Sequence, residues 1–159
     1  MVKNRKAIGQ VCVEMQFLVK KFHELTVEEL YEILRARAEI FIVEQNCVYQ
    51  DLDGIDKDAY HICLYDNGEL VAYLRVIDKG KRLDEVSLGR VITVKRGQGY
   101  GKAVMQIGLR VAKEKFGVTT VKIGAQVQAQ PFYEKCGFVP VSGHYLEDGI
   151  PHIYMERKV

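Results

Sequence analysis

The chain has no tryptophan, only three prolines and no long apolar run. A helix that crosses a bilayer needs about 18 or more consecutive apolar residues, so the sequence predicts no membrane span. The N-terminal residues are basic but lack the apolar block of a signal peptide. We therefore expect a cytoplasmic protein that has no membrane partner.

The sequence also has no large excess of positive or negative residues. The 159 residues include 23 Lys and Arg against 21 Asp and Glu, which gives a net charge of +2. Proteins that bind nucleic acid usually need a strong basic surplus, so nucleic acid is not an expected partner. The length and the 48% apolar content predict one globular domain with a core of its own.

Cysteines are few and scattered, and they form no CxxC pair. This spacing excludes the common zinc motifs, and we expect reduced thiols, with Cys63 in the core. The acidic stretch DLDGID at 51–56 lacks the spacing and the closing glutamate of a calcium loop. The sequence therefore predicts no metal site. The four cysteines are Cys12, Cys47, Cys63 and Cys136.

Apolar periodicity predicts a domain over 15–159, preceded by an N-terminal extension over 1–14 with little structure. A strand at 16–22 precedes a helix that Thr26 and Glu29 begin as a capping box. A three-strand meander follows, then a helix ending at Gly117, a strand, a short helix and two final strands. This order predicts an α/β fold, with a mixed central sheet and helices on both faces.

The long acidic segment at 44–59 interrupts this pattern between the first helix and the meander. Segments of this length without periodicity are uncommon in small domains and are often functional. Its aspartates have two possible roles: they attract a cationic amine, or they belong to a solvated loop.

The stretch KRGQGYGKAV at 95–104 lies between a predicted strand and a predicted helix. Small residues before a helix N-terminus let an anion approach N–H groups that have no helical partner. Arg96 and Lys102 can add charge to such a site. The spacing of the glycines fits neither the dinucleotide-binding fingerprint nor the P-loop. A tight turn with close helix–strand packing is the alternative.

Four stretches together resemble the GNAT superfamily of N-acetyltransferases, and in particular its ElaA-like branch. Arg96-x-x-Gly99-x-Gly101 resembles the pyrophosphate-binding motif of that family, and FYEKCGF at 132–138 resembles its second signature. AEIFIVEQNCVYQDLDGID at 38–56 and YLEDGIPHIYM at 145–155 resemble the long loop and the C-terminal segment of the branch. The resemblance covers 15–157 and implies a GNAT-like single-domain fold.

The resemblance also implies an acetyl-CoA-dependent N-acetyltransferase, with acetyl-CoA as a co-substrate. A backbone N–H of Val91 or Ile92 would stabilise the thioester oxygen, and the glycine turn would bind the pyrophosphate. The residues implied in cofactor binding are Val91, Ile92, Arg96, Gly97, Gln98, Gly99, Tyr100, Gly101, Lys102, Gln126, Ala129 and Phe132.

For catalysis, the resemblance implies that Tyr133 protonates the departing sulfur. A general base must neutralise the amine, since an alkylammonium with a pKa near about 10.4 is almost fully charged at neutral pH. Glu44 is the first candidate and His152 the second. The other candidates are Glu85, His61 and Glu147.

The expected acceptor is a primary amine, either a small molecule or a peptide. The homodimer common in the superfamily is a possible assembly. The alternative function is a non-catalytic module that binds acyl-CoA, and the presence of Tyr133 favours the enzyme.

Overall fold

One sheet forms the centre of the molecule. The computed structural model describes the backbone of residues 2–8 and 11–159 and the side chains of residues 15–159. Within these residues the strand order is β1-β2-β3-β4-β5-β6-β8-β7. The strands are β1 (Val2–Ile8), β2 (Val11–Lys21), β3 (Tyr60–Asp66), β4 (Glu69–Ile77), β5 (Ser87–Thr93), β6 (Thr120–Gln126), β7 (Val139–Glu147) and β8 (Ile150–Lys158). The helices are α1 (Val27–Arg37), α2 (Tyr100–Phe116) and α3 (Gln130–Lys135).

The N-terminal segment differs from the sequence expectation. Strand β1 pairs antiparallel with β2 from Val2 opposite Phe17 to Ile8 opposite Val11, where we expected little structure. Backbone hydrogen bonds can form this pairing without the apolar alternation that a sequence pattern detects. Met1, Gly9 and Gln10 lie outside the described residues, and the domain boundary at residue 15 stays a prediction.

Helix α1 begins as its sequence predicts. The Glu29 N–H donates to Thr26 Oγ1 at 3.1 Å, and the Thr26 N–H donates back to Glu29 Oε2 at 2.9 Å. These two bonds satisfy donors that a helix N-terminus leaves without partners. The helix continues as a π-helical segment, Ala38–Glu44, which directs the chain toward the acidic segment.

Helices cover both faces of the sheet, which confirms the predicted mixed α/β architecture. Along β4, Ala72, Leu74 and Val76 pack in the core cluster that contains α2. The intervening Tyr73 packs in a second cluster with Ile33 of α1. Only the β5–β6 pair is parallel among the strand pairs of the described residues. None of the helices described is long and apolar enough to cross a membrane.

Buried arginines fix the acidic segment to the sheet. Arg37 of α1 donates to Asp51 Oδ2 at 2.9 Å and to Asp56 Oδ1 at 2.7 Å. Arg75 of β4 donates to Asp56 Oδ1 at 2.8 Å and to Asp53 Oδ1 at 2.8 Å. Both arginines are fully buried. The carboxylates of Asp51, Asp53 and Asp56 are therefore structural. They do not belong to a solvated loop, and they are not free to attract an amine.

Asp56→Asn removes a charge that two buried guanidinium groups share, so the free energy of unfolding should fall by about 3 kcal/mol. Asp58→Asn is the matched control, because Asp58 is half exposed and pairs only with Lys81 at 3.2 Å. Its change should stay within about 0.5 kcal/mol. Urea unfolding of both variants measures the difference, and equal effects would contradict a structural role for Asp56.

Asp53 makes the fold sensitive to acid. Burial alone would raise its pKa, but the hydrogen bonds from Arg75 and the charges of Arg75 and Arg90 lower it from 3.8 to about 2. A lowered pKa in the folded state stabilises the fold above the unfolded pKa, and this contribution is lost as the pH falls. The window is therefore between about pH 4 and about pH 2.

In this window the wild type should lose about 2 kcal/mol more stability than Asp53→Asn, which has no carboxyl group left to protonate at that position. The measurement is urea unfolding at several pH values, and Asp58→Asn should follow the wild-type curve. Parallel curves for the wild type and Asp53→Asn would refute the lowered pKa.

Candidate functional site

A gap between two parallel strands opens the sheet. β5 and β6 are in register only at Ser87 and Lys122, and no further ladder pair joins them within the described residues. We call the space beyond this pair the β5–β6 gap. It continues into a cavity of about 830 Å³, which extends from the glycine turn to the β7–β8 hairpin. A cavity of this size can hold a small-molecule ligand.

A bulge in β5 shapes one wall of the cavity. The β4–β5 register shifts between Tyr73 and Arg75, and on β5 Arg90 has a φ of 51°. Such a conformation costs a non-glycine residue about 1 kcal/mol or more, so contacts must compensate. Arg90 Nε donates to Asp51 Oδ1 at 2.7 Å, and Arg90 Nη2 donates to Asp53 Oδ2 at 3.3 Å. The acidic segment thus stabilises the bulge.

The glycine turn forms the cavity end nearest to α2. Gly97 and Gly99 have φ values of 78° and 79°, which glycine adopts without strain. The first helical bond of α2 runs from the Ala103 N–H to the Gly99 carbonyl at 3.1 Å. The N–H groups before Ala103 point out of the helix start, and Arg96 and Lys102 line the same end of the cavity. This end suits an anion such as a diphosphate.

Gly101 has a packing role within the same turn. A Cβ atom at this position would lie 2.8 Å from Thr93 Oγ1 and 3.2 Å from the ring of Phe132. Close helix–strand packing, the alternative interpretation of the turn, therefore accounts for one glycine of the three. The positive φ values account for glycine at the other two positions, Gly97 and Gly99.

Most of the residues implied in cofactor binding come together around this cavity. Gln98 is the exception, since it is exposed and its Oε1 accepts a hydrogen bond from the Tyr100 hydroxyl at 3.1 Å. The residues of that set that line the cavity are Val91, Ile92, Arg96, Gly97, Gly99, Tyr100, Gly101, Lys102, Gln126, Ala129 and Phe132.

Tyr133 of α3 also lines the cavity. Its ring contacts Phe132 and Phe138 edge-on, with centroid distances of 5.1 and 6.0 Å. Burial raises the pKa of Tyr133 well above its ordinary value, with a smaller contribution from Cys136. The phenol therefore keeps its proton at neutral pH.

Glu44, the first candidate base, lies beside the glycine turn. Its Oε2 accepts from Arg96 Nη2 at 3.0 Å, and the carboxylate is outside the cavity wall. Glu85, another candidate, pairs with Lys122 at 3.2 Å. Glu44 therefore pairs with the positive charge of Arg96. It does not line the cavity, as Tyr133 and His152 do.

His61 is a buried structural side chain. Its Nδ1 lies 2.8 Å from the Tyr73 hydroxyl and its Nε2 lies 2.8 Å from the Asp56 carbonyl oxygen. Burial lowers the pKa of His61, and the nearby Asp56 only partly offsets this effect. His61 is fully buried and does not line the cavity, so it is not available as a base there.

His152 of β8 lines the cavity at the other end from the glycine turn. Its Nδ1 lies 2.7 Å from the Ile150 carbonyl oxygen, so this nitrogen is the N–H donor. Its Nε2 lies 3.4 Å from Glu147 Oε2, and Glu147 Oε1 accepts from Arg82 at 2.6 Å. Glu147 thus contacts both Arg82 and His152, and a proton on His152 Nε2 has a carboxylate partner.

Two further cavity residues escaped the sequence analysis. The Gln45 side chain accepts from Gln126 Nε2 at 2.9 Å, which links the end of the π-helical segment to β6. Arg82, from the turn after β4, reaches Glu147 across 65 positions of sequence. Gln45 lies in the 38–56 stretch, where it was given no role, and Arg82 belongs to no recognisable motif, so only the fold could show these contacts.

Comparisons with a family model and with known proteins indicate the same family. The family model described as "Acetyltransferase (GNAT) domain" matches residues 22–159. ElaA of Escherichia coli is 44% identical over 140 residues, which cover 86% of this chain and 92% of that protein. A UPF0039 protein of Schizosaccharomyces pombe is 41% identical over 149 residues, 91% of this chain and 98% of that protein.

Solved structures agree with these relatives. An acyl-CoA N-acyltransferase from Pseudomonas aeruginosa superimposes with a TM-score of 0.81 at 40% identity, covering 89% of this chain and 99% of that chain. The crystal structure of E. coli ElaA gives a TM-score of 0.82 at 41% identity, covering 90% and 99%. The resemblance inferred from the four sequence stretches is confirmed.

Proposed function

The chain belongs to the GNAT acetyltransferase family, and we propose that it transfers an acetyl group from acetyl-CoA to a primary amine. The β5–β6 gap carries this proposal, because it joins an anion-binding helix N-terminus to a proton donor and a proton acceptor in one cavity. At one end are Arg96 and Lys102, and beyond them are Tyr133 and His152.

The charges and the shape of the cavity fit acetyl-CoA as the co-substrate. The α2 N-terminus and the cations Arg96, Lys102 and Lys135 suit the phosphates. The walls of the gap toward the bulge include Val91 and Ile92, which suit an extended, largely uncharged arm. In the proposed complex the thioester lies beside the Arg90 bulge, away from the glycine turn.

In the transfer step the amine nitrogen attacks the thioester carbonyl carbon, and the bond from that carbon to sulfur breaks. A backbone N–H of Val91 or Ile92 stabilises the negative charge on the carbonyl oxygen. Tyr133 gives its proton to the departing sulfur, and His152 accepts the proton that the amine loses. The products are the N-acetyl amine and CoA.

His152 is a better candidate for the base than Glu44. His152 lines the cavity, its Nδ1 is held by the Ile150 carbonyl oxygen, and Glu147 can pair the proton that Nε2 gains. Glu44 is paired with Arg96 at the cofactor end instead. The proposal therefore reverses the order of the two candidates.

The test is release of free CoA thiol from acetyl-CoA in the presence of primary amines, at catalytic protein concentrations. Release that depends on the amine, with an N-acetyl product of matching mass, supports the transferase. Binding of acetyl-CoA without release for any amine would contradict the transferase and favour a non-catalytic acyl-CoA-binding module.

Tyr133→Phe should lower kcat by about 100-fold while leaving acetyl-CoA affinity intact, because only the proton donor is removed. Tyr60→Phe is the matched control, since Tyr60 packs against Phe116 away from the cavity. Steady-state kinetics and calorimetry measure the two quantities. Unchanged kcat in Tyr133→Phe would exclude this tyrosine as the acid.

His152→Gln should lower kcat by about 100-fold at neutral pH, and the loss should shrink at about pH 10, where a much larger fraction of the amine is already neutral. Glu44→Gln should keep kcat and lower the KM for acetyl-CoA by about two-fold, because it frees Arg96 from an exposed ion pair. If instead Glu44→Gln lost kcat and His152→Gln retained it, Glu44 would be the base.

A further inference from the structure

We propose that the acceptor is a small amine that carries a hydroxyl group, and that Ser87 and Tyr145 bind this group. The inference rests on the proposed acetyl transfer and adds the chemical class of the acceptor. It follows from the buried hydroxyl of Ser87, which lines the cavity, and from the hydroxyl of Tyr145, which lies over Gly124 of the cavity wall. Within the part of the chain whose side chains are described, the Ser87 hydroxyl has no hydrogen-bond partner, and the Tyr145 hydroxyl has only the Tyr154 side chain as a partner.

Ser87 lies where the two strands separate. Its side chain is 1% exposed, it lines the cavity, and its hydroxyl oxygen is buried. It pairs with Ile77 of β4 and with Lys122 of β6, which places it on the sheet face that α1 covers elsewhere. A buried hydroxyl without a partner is costly, so its retention needs a reason.

Tyr145 contributes the second hydroxyl on this face. A Cβ atom on Gly124 would lie 2.7 Å from the Tyr145 hydroxyl, so this hydroxyl borders the space directly above Gly124, which lines the cavity. The Tyr145 ring packs against His152 at 5.7 Å and against Tyr154 at 4.5 Å between centroids. The Tyr145 ring therefore packs beside the proposed base.

Strand register places all of these groups on one face. Gly124 is opposite Tyr154, Gln126 is opposite His152, and His152 is opposite Tyr145. Their neighbours Ile123 and Ile153 pack on the other face with α2. The amine acceptor and acetyl-CoA can thus meet at the gap while occupying different ends of the cavity.

Three charged groups at this end, Arg82, Glu147 and Arg90, are already paired. Arg82 donates to Glu147, and Arg90 donates to Asp51 and Asp53. The exposed Asp148 at the mouth favours a cationic amine over an anionic one. The groups left to bind the acceptor are neutral hydroxyls, which suit a hydroxyl of the ligand better than a carboxylate.

The test uses amino alcohols of two to four carbons, each compared with the alkylamine of equal size, and with glycine as the carboxylate. Thiol release should give a kcat/KM for the best amino alcohol about 10-fold or more above its alkylamine, because the alkylamine leaves the buried Ser87 hydroxyl unpaired. Ser87→Ala should abolish this preference, and Tyr145→Phe should reduce it.

Stability separates a binding role from a structural one. Ser87→Ala removes an unpartnered group, so the Tm should stay the same or rise while acetyl-CoA affinity is unchanged. Ser142→Ala is the matched control, because the Ser142 hydroxyl accepts from the Tyr154 N–H at 2.9 Å and its loss should lower the Tm. A lower Tm for Ser87→Ala would indicate a structural hydroxyl and overturn the inference.

Failure of the inference and failure of the proposed function give different results. Equal kcat/KM for amino alcohols and alkylamines, or faster reaction of glycine, would overturn the acceptor class while leaving acetyl transfer intact. No thiol release with any amine would contradict the transferase itself, and with it the inference.

Discussion

The pairing of buried arginines with the aspartates of the acidic segment is the interaction on which the site depends. Arg75 connects this segment to the centre of the sheet, and Arg90 connects it to the bulge in β5. Removing ions from water is costly, so each partner must keep the other in place. The bulge, in turn, places the backbone of Val91 and Ile92 along the cavity.

The gap between β5 and β6 is the second constraint. Parallel pairing at Ser87 alone keeps the strands together at one point and lets them diverge beyond it. Divergence exposes backbone groups that a continuous sheet would have used in its own ladder. The same opening connects the glycine turn to the polar face of β7 and β8. In the proposed function, this break in the sheet is the place where a thioester and an amine meet.

Local patterns in the sequence predicted the parts of the fold that local interactions determine. The Thr26–Glu29 cap, the helix end at Gly117 and the glycine turn all involve residues a few positions apart. The site depended on distant contacts that no pattern encodes. Glu44 and Arg96 meet across 52 positions, and this contact changes the interpretation of the first candidate base. The positive φ of Arg90 likewise follows from tertiary ion pairs and not from its residue type.

The most direct test of the account is calorimetric titration of acetyl-CoA into the wild type, Gly99→Val and Gly68→Val. Both glycines have φ near 80° with open space around the Cβ position, so both variants carry a similar strain, but Gly68 lies in the β3–β4 turn. We expect one acetyl-CoA site per chain in the wild type and in Gly68→Val, and at least 10-fold weaker acetyl-CoA binding in Gly99→Val. Equal binding by all three proteins, or no binding by the folded wild type, would contradict a cofactor site at the glycine turn.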